Sequence, residues 1–141
     1  SQDNPKYAED VVKAKENIKL YTNNRIAKLQ GENDFDGIIA VADEMLAVNP
    51  QDALAQKIRL QALFDKKDYA GVIASAEEAA AGQTDEEERS DVYFILGAAY
   101  NARTMPQQAI DALSKVTAGA NVAAAQKTVA QLKENAAKAN S

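Results

Sequence analysis

Apolar residues return along this chain every three to four positions, the spacing of one face of an α-helix. Ile38, Ile39, Ala42, Met45 and Leu46 fall at i, i+1, i+4, i+7 and i+8. Leu54, Ile58, Ala62 and Leu63 form a second stripe, Ile73, Ala76 and Ala80 a weaker third, and Val92, Leu96, Ala99 and Tyr100 a fourth. Val122, Ala125, Val129, Leu132 and Ala136 follow at alternating steps of three and four, with Gln126, Lys127, Gln131, Lys133 and Glu134 opposite. Near the start, Tyr7, Val11, Ala14, Ile18 and Tyr21 make a stripe of their own. Breakers separate the stripes. Gly31 to Asp34 interrupts the first. Asn49-Pro50 closes the second helix, because the residue before proline is driven out of the helical region. Asp52 is placed to cap the next helix, and Lys66-Lys67-Asp68 makes a short turn. Thr84 and Asp85 each have a glutamate three residues on, a capping-box spacing. Pro106 suits a first helical position, Gly119 a stop and Asn121 an N-cap. The pattern predicts seven helices, near 6–30, 34–48, 52–65, 68–81, 85–103, 106–118 and 121–139.

The pattern also repeats. Set 34 residues apart, positions 33–52 and 67–86 align Asp34 with Asp68, Gly37 with Gly71, Ile39 with Ile73, Ala42 with Ala76 and Glu44 with Glu78; Phe35 lies over Tyr69 and Ile38 over Val72. A third copy follows after 37 more residues, where Ala109, Ile110, Leu113 and Val116 fall under Val72, Ile73, Ala76 and Ala79. The three extra residues fit in the acidic turn around Gln83 to Glu88. The unit is therefore a pair of helices. One pair cannot bury its apolar stripe alone, whereas stacked pairs bury it against one another.

At these residues the chain resembles the tetratricopeptide repeat family, over about residues 19–123. Tyr93, Leu96-Gly97 and Tyr100 match the family's first-helix aromatic, Leu-Gly pair and Tyr; Ala109, Leu113 and Val116 match its second-helix core. Phe35, Tyr69 and Pro50 match its second-helix aromatic and closing proline. Ile26 and Leu60 depart from the pattern by replacing the small glycine, and Ile38 and Val72 by replacing the small alanine, which calls helix spacing and curvature into question. The resemblance implies an all-α fold, a right-handed α-solenoid of three helical hairpins in one domain. The repeats span about 19–52, 53–89 and 90–123, with a long N-terminal helix before them and a capping helix at 121–139.

Composition narrows the chemistry. Of 141 residues 29 are alanine, and the net charge is -5, without the basic footprint a nucleic-acid binder needs. Cysteine and histidine are absent, which removes thiolate and imidazole metal sites, thiol nucleophiles and any histidine base. No oxygen-rich loop has calcium-site spacing. Isolated glycines make no phosphate loop. Ser75, Ser90 and Ser114 have no base, and the carboxylate pairs Asp43-Glu44 and Glu77-Glu78 point away from each other on a helix. Glu86 to Glu88 sit at a helix start, where negative charge suits the dipole. We therefore expect no enzyme, cofactor or metal. No apolar run nears the ~18 residues of a membrane span, so no direct membrane insertion is expected. The polar start Ser1 to Pro5, lacking Met, leads us to expect an exported protein, periplasmic or extracellular, whose leader has been removed; a cytoplasmic protein is the alternative.

The resemblance also implies a role. In that family the first helices of the repeats line a concave groove, and the matching positions here include Asn23, Lys57, Gln61, Phe64, Phe94 and Asn101, together with Leu54, Asp91 and Ala98. We expect a non-catalytic interaction module holding a protein or peptide partner, as a monomer or weak homo-oligomer. The alternative is a structural or assembly component of the cell envelope that self-associates or tethers. Some relatives clamp a C-terminal carboxylate with cationic and amide side chains. Asn23 and Lys57 offer this, but Ala27, Asp91 and Ile95 interrupt the face and Asp91 repels a carboxylate.

Overall fold

The computed structural model describes residues 24–139, and every regular element among them is an α-helix. Helical residues 24–31 (α1) precede α2 (Phe35–Val48), α3 (Ala53–Asp65), α4 (Tyr69–Gly82), α5 (Glu86–Ala102), α6 (Pro106–Leu113) and α7 (Val122–Ala139). The expectations placed on the Tyr7 to Tyr21 stripe and on Asn23 lie outside the described residues.

Caps set where these helices begin. The Oδ1 atoms of Asp34, Asp52, Asp68 and Asp85 accept hydrogen bonds from the backbone N–H groups of Gly37, Ala55, Gly71 and Glu87, at 2.8–3.1 Å. Each satisfies a donor that the first helical turn leaves orphaned, a contribution of about 1 kcal/mol. Pro106 opens α6, where no side chain caps the end.

The turns after α1, α3 and α5 share one geometry. Asn33, Lys67 and Thr104 take left-handed backbone, with φ of 56°, 69° and 57°. At each, the residue's N–H donates to the carbonyl three back, and the next N–H to the carbonyl five back: Lys67 to Phe64 and Asp68 to Leu63, at 2.9 and 2.8 Å, for example. The same bonds recur at Asn33-Asp34 and Thr104-Met105. This Schellman-type closure reverses the chain and recovers carbonyls that the helix end would strand. Its positions stand 34 and 37 residues apart, the offsets of the sequence repeat.

Each helix from α2 to α7 packs on the next, and α3 also packs on α5. Two apolar clusters result. The larger gathers Leu60 and Leu63 of α3, Val72 and Ala76 of α4, and Val92 and Leu96 of α5; the other joins Ile110 and Leu113 of α6 and Val116 to Ala125 and Leu132 of α7. The repeat places equivalent residues at equivalent depth. Ile38, Val72 and Ala109 are all buried, as are Ala42, Ala76 and Leu113.

Volume is exchanged between helices of a pair. A Cβ on Gly97 would lie 2.5 Å from the Leu113 side chain, so glycine on α5 makes room for leucine on α6. At the equivalent positions Leu60 on α3 stands with Ala76 on α4 in one cluster, and Ile26 of α1 and Ala42 of α2 are both buried. The bulky residue has changed helix, and a small one still stands in the pair.

Two expectations need adjusting. Helix α6 ends at Leu113, not 118. Ser114 Oγ donates to the Ile110 carbonyl at 2.6 Å, Lys115 and Val116 turn back onto carbonyls three residues earlier, and the N–H groups of Thr117 and Ala118 donate to the buried Ser90 Oγ of α5 at 3.1 and 3.2 Å. The bonds to Ser90 replace helical ones, and Val116 stays buried without a helix around it. On α3 the buried face is Ala55, Leu60, Ala62 and Leu63; Ile58 is half-buried and Leu54 is 45% exposed. Helix α3 packs on α2, α4 and α5 together, so a single stripe does not describe its contacts.

Candidate functional site

A cleft of about 470 Å³ opens over the first helices of two successive pairs. Helix α3 contributes Lys57, Gln61 and Phe64; α5 contributes Asp91, Phe94, Ile95 and Ala98; Asn121, just before α7, closes one end. Steps of three and four keep 57, 61 and 64 on one side of α3, and 91, 94, 95 and 98 on one side of α5. Packing of α3 on α5 then sets the two rows side by side.

The two phenylalanines are half-buried and carry the apolar part. Phe64 packs against the larger core cluster and meets the Tyr69 ring edge-on, with centroids 5.5 Å apart at 64°. Phe94 packs against the second cluster. Both rings are anchored behind and keep surface toward the cleft, a low-entropy platform for an apolar side chain.

Lys57 carries the polar part. Its Nζ donates to Glu88 Oε2 at 2.6 Å and to Asp91 Oδ2 at 2.7 Å, so α3 and α5 are pinned together by one shared ammonium. Burial alone would lower the Lys57 pKa, but the hydrogen bonds and charges of Asp91 and Glu88 outweigh it and hold the group above its ordinary 10.5. Asp91 Oδ1 in turn accepts from Asn121 Nδ2 at 3.0 Å, which extends the network to the start of α7. Gln61 Nε2 donates to Asp65 Oδ1 at 3.0 Å, leaving its carbonyl oxygen as an acceptor.

Six of the groove positions singled out from the sequence thus line one cleft, Lys57, Gln61, Phe64, Asp91, Phe94 and Ala98, whereas Leu54 does not. Asn101 is exposed and does not line it, and Asn23 lies outside the described residues. Asn121 was legible only as a helix cap; its place in the cleft depends on how the segment before α7 bonds back onto α5, which no local spacing encodes. Glu88 was legible only as a charge at a helix start.

No protein-family model matches the chain, and no curated protein matches it. The cleft therefore has to be read from its own chemistry. The serines are engaged structurally: Ser75 Oγ accepts from Arg59, Ser90 Oγ from two backbone amides, and Ser114 Oγ donates to a carbonyl. Among the described residues no group of acidic side chains is arranged to hold a metal ion, and no helix is long and apolar enough to cross a membrane.

Proposed function

We propose that the protein is a non-catalytic interaction module, a tetratricopeptide-like right-handed α-solenoid of three helical hairpins, whose cleft over α3 and α5 receives a segment of a protein or peptide partner. The cleft carries this reading. It sets two anchored, half-exposed aromatic rings beside amide side chains, the combination that takes an apolar anchor and bonds the backbone around it. The three equivalent Schellman turns and the packing of α3 on both α4 and α5 are what a stack of hairpins requires.

Selection of a random peptide library on the purified protein tests the reading. The enriched peptides are expected to lose about tenfold or more in affinity for Phe94→Ala, the scale of an aromatic contact at a binding hot spot. The far-UV circular dichroism of the variant should stay that of the wild type. A library that yields no binder, or binders indifferent to Phe94→Ala, sets the reading aside.

A further inference from the structure

The charges around the cleft narrow the kind of partner. Lys57 is one positive charge held between two carboxylates, Glu88 and Asp91, so this group keeps one negative charge in excess. Asp65, bonded to Gln61, adds another beside the α3 row. The carboxylates are within reach of a ligand: the side chains of Glu88 and Asp91 are 47% and 30% exposed, against 24% for Lys57. An incoming anion would have to displace a carboxylate from Lys57 to gain a partner, and would leave that carboxylate unpaired. An incoming cation meets carboxylate oxygens whose own cation is already shared. The whole chain, at -5, draws cations toward it and repels a second copy of itself.

We propose that the cleft recognises a basic peptide segment, in which a large apolar side chain seats on Phe64 and Phe94 and a neighbouring Lys or Arg pairs with Glu88 and Asp91. This rests on the interaction-module reading above and goes further by fixing the ligand's sign of charge. The apolar residue supplies most of the affinity through desolvation against the rings. The cation supplies orientation and speed of encounter, because a half-exposed ion pair adds little net energy. Asn121 and Gln61 stand at the cleft wall to bond the segment's backbone.

Three labelled peptides of one length test this, each with a central Phe-Leu anchor in an Ala-Ser background, flanked by Lys and Arg, by Glu, or by Gln. A fourth keeps the basic flanks and replaces the anchor by alanine. Binding is read by fluorescence anisotropy at low salt and at about 0.3 M salt, where exposed charges are largely screened. The basic anchored peptide is expected to bind best, to weaken with salt, and to weaken about three- to fivefold in Glu88→Gln, the scale of an exposed ion pair. Glu88→Gln leaves the Lys57–Asp91 pair in place, so the fold of the cleft is retained. The anchorless basic peptide is expected to bind much more weakly. If the glutamate or glutamine peptide binds equally well or better and still depends on Phe94, the charge inference is overturned while the interaction-module reading stands. If no anchored peptide binds, or binding ignores Phe94→Ala, both fall. If the anchorless basic peptide binds as well as the anchored one, the proposal is overturned in favour of non-specific charge attraction.

Discussion

Lys67, Asn33 and Thr104 show what single residues accept so that the chain can turn. Each holds left-handed backbone, a conformation glycine takes at no steric cost. Thr104 is the least suited of the three, because a β-branched side chain is crowded there. Thr104→Gly is therefore expected to stabilise the protein by about 0.5–1 kcal/mol, the relief of left-handed strain less the added freedom of the unfolded chain. Urea unfolding should show a higher midpoint at unchanged slope. A lower midpoint would mean that the Thr104 side chain contributes more than its backbone costs. The turn positions were legible in the sequence, since the repeat aligns 33, 67 and 104, but their conformation was not. None of the three is glycine, and Gly31, the obvious breaker, lies in α1 two residues too early.

Between elements, the decisive quantity is the volume where the helices of a pair cross. Gly97 and Leu113 fit only together, since a Cβ on Gly97 would enter the leucine side chain. Gly97→Ala is expected to cost about 1–3 kcal/mol by overpacking, even though alanine is the better helix former. In a Leu113→Ala background the same change should cost much less, and a double-mutant cycle by chemical denaturation measures that coupling. Additive costs would show that the two residues do not compete for space. Read residue by residue, Ile26 and Leu60 are departures from the small residue that the family places on the first helix. Read as pairs, Leu60 shares a cluster with the small Ala76, and Ile26 and Ala42 are both buried at the equivalent positions, so the departure is an exchange of sides. The early end of α6 belongs to this scale too. Serine in mid-pattern gives no local sign that its neighbour α5 will offer Ser90 Oγ to the N–H groups of Thr117 and Ala118.

Across the molecule, the Lys57 network ties α3, α5 and the approach to α7 into one surface. The folded-state pKa of Lys57 lies above its ordinary 10.5, so the stability gained from its charge is whole below that value. It is lost as pH rises through the folded-state pKa. The stability difference between wild type and Lys57→Met is thus expected to stay level from neutral pH to about 10.5 and to shrink beyond it. Comparison with the variant removes the alkaline titration that both proteins share. A difference that stays level above 10.5 would show that the ammonium adds nothing to folding. Of the cleft, Lys57, Gln61, Phe64, Asp91, Phe94 and Ala98 could be named from the sequence through the family resemblance, whose pattern assigns groove positions along each first helix. Their neighbours Asn121 and Glu88 could not, since they reach the site through the packing of separate elements.

The order of hydrophobic and polar residues determined by itself that the described residues are helical, where α2 to α7 begin, and that a pair of helices recurs, because period, caps and offsets are each set within a few residues or by simple alignment. Only the tertiary structure decided how deep each face lies, which helix of a pair carries the bulk, where α6 stops, and that one lysine is shared between two carboxylates. Those outcomes depend on residues about 16 to 34 positions apart meeting in space, and free energy there is set by shared volume and shared charge rather than by local preference.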